Sequence, residues 1–229
     1  MAENKNNFDE PIVDVSEAVS KTDELFEKNK KSITYVFGAI AAIVFAVFLY
    51  NTYVLTPKEV KADKLIWKAE ANMEKDSMQV ALQGKGLSEK GLIQIIDDFG
   101  STQTGNLAHY YAGVAELKSG NYDAALDQLN SFSSSDEVLS ILVAGLKGDI
   151  YSEKNELGKA KSYYKDAYAS NNILTKPYYA VKLGLVLEAE EDFAGALEVY
   201  EETNEMYSAT EYSKYILKSI GRAKQALGK

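Results

Sequence analysis

The chain has 229 residues, no cysteine, and 34 acidic side chains against 25 basic ones, for a formal net charge of −9. The missing cysteines exclude disulfides, thiolate metal sites and cysteine nucleophiles, and the acidic balance, with no Lys/Arg cluster away from one apolar run, argues against a nucleic-acid partner. Three prolines, scattered glycines and abundant Ala, Leu, Lys, Glu and Tyr favour helices over a sheet.

Residues 1–11 are polar with little to bury, and disorder is expected there. From Asp14 the pattern changes: Val15, Ala18, Val19, Thr22, Leu25 and Phe26 recur at three- and four-residue spacing, with Asp14 and Glu17 placed as an N-cap and its reciprocal partner. Residues 1–32 therefore read as a tail carrying an amphipathic helix. That helix is open to three uses: a membrane-surface segment, a docking element for a partner, or a stiff leader.

Residues 33–55 hold no charged side chain. As a helix they extend roughly 34 Å, enough to cross a hydrocarbon core of about 30 Å with some tilt. Tyr35, Tyr50 and Tyr53 lie near the ends of the run, where amphipathic rings settle at headgroup depth. A cleaved secretion signal needs a shorter apolar run, a basic leader and a small-residue cleavage site. Here eight acids against five lysines precede the run, and Thr56-Pro57 follows it, so an uncleaved transmembrane helix is expected. Lys28, Lys30 and Lys31 favour a cytoplasmic N-terminus, with the remainder on the far side of the membrane, which in a bacterium with an outer membrane is the periplasm.

Residues 56–106 read as membrane-proximal helices forming a degenerate repeat. Thr56, Pro57 and Glu59 combine a cap, a proline at the first helical position and a reciprocal glutamate, predicting a helix that starts there and runs through Trp67 to about Lys75. Residues 77–82 are either a short extended piece or the tail of that helix, and Gly84-Lys85-Gly86 breaks the chain without the spacing of a phosphate loop. Residues 88–99 form the next expected helix.

Three units then align without gaps over residues 107–206. Gly113, Gly148 and Gly184 share a column, as do Gly120, Asn155 and Glu191 at an inter-helix turn. Tyr122, Leu157 and Phe193 follow, then Ala125, Ala160 and Ala196, then Leu129, Tyr164 and Tyr200, always spaced by 35 and then 36 residues. The period, the helix-turn-helix in each unit and the small residues in the Gly and Ala columns resemble tetratricopeptide repeats. His109, Ala144 and Ala180 stand where that family carries tryptophan, so the repeats are degenerate. Residues 207–229 supply a last helix, with Tyr212, Tyr215, Ile216, Ile220, Ala223 and Leu227 on one stripe, expected to cap the array. The fold class expected is all-α: one transmembrane helix, then an α-solenoid with a capping helix.

No catalytic constellation, metal site or cofactor motif emerges, and the chain reads as a non-enzyme. His109 has no Cys or second His beside it for a metal; Asp97 and Asp98 point about 100° apart on a helix. Glu188, Glu190, Glu191 and Asp192 crowd a turn and read as a solvated loop. The resemblance to tetratricopeptide arrays implies instead that the first helix of each unit lines a partner-binding groove. On the matching columns this groove comprises Tyr110, Val114 and Leu117, then Asp149, Ser152 and Glu153, then Tyr178, Val181, Leu185 and Glu188, a mixture suited to an extended, partly basic or apolar polypeptide.

The order of parts, with SEAVSKTDELFEKNKK before the apolar run, then MQVALQGKG and IIDDFGSTQTGNLAHYYAGVAELKSGNYDAAL, is similar to the YfgM-like tetratricopeptide-repeat membrane proteins in their Bacteroidetes version. That resemblance implies an inner-membrane protein with a periplasmic repeat domain. It implies as partners the SecYEG translocon, a prolyl-isomerase-type periplasmic chaperone and exported polypeptides. The alternative is a structural scaffold of another envelope or secretion assembly, binding one fixed partner.

Overall fold

The computed structural model describes residues 15–86, 89–209 and 211–229, with side chains from residue 28 onward. The expected disorder of residues 1–11, the Asp14 cap and the apolar side chains up to Phe26 lie outside the described residues, as do Ser88, at the start of the helix expected over 88–99, and Thr210, within the last expected segment. The chain divides into two compact units, residues 1–56 and 57–229.

In the first unit, helix α1 (Val15–Tyr50) is followed by a π-helical turn, Asn51–Leu55. The apolar run has no protein core to enter: Phe37, Phe45 and Phe48 are 67%, 62% and 59% exposed. Among the described residues, Lys28–Glu74 contains the one helical stretch long and apolar enough to cross a membrane, and none of its most apolar window is buried. Thr56 does not cap a new helix. Its backbone is itself helical, at φ −58° and ψ −46°, and its hydroxyl donates to the Asn51 carbonyl at 2.8 Å.

The second unit is built from helices throughout: α2 (Thr56–Glu74), α3 (Met78–Gln83), α4 (Leu92–Phe99), α5 (Gln103–Lys118), α6 (Tyr122–Ser131), α7 (Glu137–Glu153), α8 (Leu157–Tyr168), α9 (Lys176–Ala189), α10 (Phe193–Tyr207) and α11 (Ser213–Ala226). Residues 77–82 are thus helical rather than extended. Asp76, at φ 55°, separates them from α2. The helix expected over 88–99 begins later, at Leu92, because Gly84 and Gly91 clasp the backbone ahead of it: a Cβ on Gly84 would sit 2.0 Å from the Glu89 carbonyl oxygen.

The repeat columns acquire a physical meaning in the pairs α5/α6, α7/α8 and α9/α10. A Cβ on Gly113, Gly148 or Gly184 would meet Leu129 at 2.6 Å, Tyr164 at 2.6 Å or Tyr200 at 2.2 Å. The large residue of each second helix therefore fills the space left by the glycine of the first, and Ala125, Ala160 and Ala196 are fully buried beside it. Each pair turns through a left-handed residue, Gly120 (φ 79°), Asn155 (φ 58°) or Glu191 (φ 61°). The amide after each returns to a carbonyl five residues back, from Asn121 to Glu116, Glu156 to Tyr151 and Asp192 to Leu187, at 2.8 to 2.9 Å.

The same turn joins α2 to α3. Ser77 donates to the Asn72 carbonyl at 2.9 Å, and Ala69 and Ala81 are buried as the small residues of the later units are. At the far end, Ile216, Ser219 and Ala223 of α11 are buried against α9 and α10, whereas Tyr215, expected on that stripe, is 53% exposed.

Glu59 reaches from α2 to the first turn of α5. It accepts from the Gln103 and Thr104 amides at 2.8 Å each and from the Thr104 hydroxyl at 2.5 Å, meeting the orphan donors and positive dipole of that helix end. Burial pushes its pKa up, but the Thr104 hydroxyl and the two amides outweigh this and hold it below the usual 4.5. Its contribution to stability is therefore fully present above the unfolded carboxylate range and is lost as pH falls through the lower folded value. Glu59→Gln is expected to melt below the parent at pH 7, with the gap closing in acid. A gap independent of pH in thermal melts from pH 7 to 3 would contradict this role.

Candidate functional site

The ten residues expected to line a groove lie on the first helices α5, α7 and α9, but the structure separates them into three kinds. Leu117, Asp149, Ser152, Glu153 and Leu185 converge on one open cavity of about 440 Å³. Leu185 is 47% exposed and Leu117 half-buried, so apolar surface is available at its rim.

Tyr110, Val114, Tyr178 and Val181 are half-buried and do not line that cavity. Tyr110 packs its ring against Phe132 and Tyr111 at centroid distances of 5.7 and 5.5 Å. Tyr178 lies edge-on to Tyr179 at 5.0 Å and to Tyr212 at 5.7 Å, and Val181 packs with the same core cluster. Glu188 is engaged by the end of the array: Arg222 of α11 donates to both its oxygens, at 2.6 and 2.9 Å, and Tyr200 donates at 3.0 Å.

Sequence reasoning missed Leu157, Tyr164, Lys182, Val186 and Ala189 on the cavity wall. Leu157 and Tyr164 sit in the repeat columns already identified, where they read as packing residues. Lys182 is paired. Its ammonium lies 2.6 Å from Asp149, which also accepts the Tyr164 hydroxyl at 2.6 Å, and it sits 5.1 Å from the Tyr178 ring centroid. Burial would lower the Lys182 pKa, but Asp149 outweighs it and the net direction is upward; the Tyr164 hydroxyl is pushed up by burial and then by the same carboxylate. Neither group is poised to exchange a proton near neutral pH.

Four of the remaining candidates have structural partners. His109 Nδ1 lies 2.8 Å from Gln128 of α6, and Lys90 pairs with Asp98. In the acidic turn, Glu190 pairs with Lys161, and Asp192 accepts from the Gly195 amide at 2.9 Å as the cap of α10. Among the described residues no group of three His, Cys, Asp or Glu side chains is placed to hold a metal ion.

A family model described as a tetratricopeptide repeat-like domain matches residues 71–188, from the last turn of α2 into the last turn of α9. No curated protein matches the chain.

Proposed function

We propose, because this chain belongs to the tetratricopeptide repeat-like domain family, that it is a membrane-anchored adaptor without enzymatic activity, which holds polypeptide segments in the cavity between α5, α7, α8 and α9. The carrying observation is the composition of that cavity. Leu117, Leu157, Leu185 and Val186 offer apolar contact, while Asp149 is already paired with Lys182 and Tyr164. Apolar side chains of an extended segment fit such a wall, and repeat arrays use such concave surfaces for protein recognition.

The order of tail, apolar run and repeats supports a finer reading: an accessory of the SecYEG translocon in the cell inner membrane, with the N-terminus cytoplasmic and the repeats periplasmic. In this setting the anchor raises the local concentration of the cavity near emerging polypeptides and near a prolyl-isomerase-type chaperone, so weak individual contacts suffice.

A photoreactive amino acid at Leu185 of the full-length protein in its native membrane tests both levels, with Lys165, exposed on α8, as the comparison site. Several adducts at Leu185 and few at Lys165, with translocon subunits co-purifying, is the expected result. One dominant adduct would replace the export reading with a scaffold holding one fixed partner. Equal labelling at the two sites would remove the cavity as a binding surface.

A further inference from the structure

Helix α2 sorts its charges by side. Glu59, Asp63 and Glu70 fall on one flank and are engaged by α5: the first two by the α5 N-terminus, and Glu70 by the Tyr111 hydroxyl. Lys61, Lys64 and Lys68 recur at three- and four-residue spacing on the other flank, with Lys75 in the turn just past the end of the helix. None of these four ammonium groups has a carboxylate partner among the described residues; Lys68 is half-buried and the other three are exposed. Between the flanks runs a ridge formed by Val60 and Trp67, 47% and 55% exposed. In a chain of net charge −9 this is a local basic surface with an aromatic along its edge.

We propose that this face of α2 docks on anionic lipid headgroups, Lys61, Lys64 and Lys68 meeting phosphate while Trp67 enters the headgroup layer. The charge is complementary, lysines close to an acidic leaflet are attracted to it, and tryptophan prefers the membrane interface. The position in the chain favours lipid over an acidic protein. The uncharged run leads directly into the first turn of α2, so the chain itself keeps headgroups near the start of this helix, whereas a protein would have to be recruited. The proposal shares with the proposed function the premise of a membrane anchor, but concerns a different surface.

Trp67 is the single tryptophan, so its fluorescence reports this face alone. The full-length protein is reconstituted into vesicles of neutral phosphatidylcholine, and into the same lipid with about one-third phosphatidylglycerol. With the anionic lipid, Trp67 emission is expected to shift to the blue and to be quenched by lipids brominated near the headgroup. The triple variant K61E/K64E/K68E should lose both effects while its far-ultraviolet circular dichroism stays that of the parent. A Trp67 spectrum that is the same in both vesicles, with the protein floating with both, overturns the lipid surface and leaves the face to an acidic protein partner. Failure to float with either vesicle overturns the anchor, and this surface with it.

Discussion

Tyr200→Ala is expected to lower the unfolding free energy by about 3 to 5 kcal/mol, the range for removing a fully buried aromatic side chain. Tyr200 has no exposed surface, its ring occupies the space over Gly184, and its hydroxyl ends on Glu188. Two groups therefore lose a partner at once: the backbone of α9, and a carboxylate that keeps only Arg222. Tyr200→Phe separates the contributions, since it retains the ring and removes one hydrogen bond worth about 1 kcal/mol. Denaturant titration of the full-length protein in detergent, followed by circular dichroism, measures both. Similar losses for the two variants would place the energy in the hydroxyl and contradict the packing argument.

Truncation after Ser208, which removes α11, is the second large effect. Ile216 and Ala223 are fully buried, and withdrawing Ile216 alone forfeits about 2 to 3 kcal/mol of transfer free energy. The cut also exposes the faces of α9 and α10 that α11 covers, and takes Arg222 from Glu188. In a linear array the damage should spread from the cut end, because each unit is stabilised by its neighbours. Hydrogen exchange should therefore rise most in α9 and α10 and least in α3 and α4. Arg222→Ala, which removes a partly exposed pair, should cost only about 1 kcal/mol and leave that gradient nearly flat. Uniform loss of protection after truncation would show one cooperative block instead of an array.

The repeating pairs were legible because their constraint is steric and periodic. Where two helices cross closely, a glycine on one must face a large residue on the other, and Gly148 with Tyr164 and Gly184 with Tyr200 keep that relation at fixed spacing. The turn before α3 was harder to read. Asp76, Met78 and Ala81 stand 44 residues before Gly120, Tyr122 and Ala125, and the extra loop around the Gly84–Gly91 clasp breaks the register that made the later units align. Thr56 misled because the cap pattern is local, whereas Glu59 was drawn to a helix end more than forty residues away. At the cavity, the spacing placed Leu117, Asp149 and Leu185 on first helices but carried no signal that Lys182 would neutralise Asp149, or that Arg222 would occupy Glu188. Those pairings depend on how successive units stack.

The internal pairing of Asp149 and Glu188 also bears on how quickly a segment can be caught and let go. With Asp149 neutralised by Lys182, and Glu188 outside the wall held by Arg222, Glu153 is the one exposed acid on the cavity wall, so the wall itself presents little local charge by which to choose among segments. In the proposed role, differences among segments then reside chiefly in how long each stays, because affinity differences within one interface lie mostly in the dissociation rate. In the proposed adaptor role, such a wall samples many passing chains and retains those with apolar side chains.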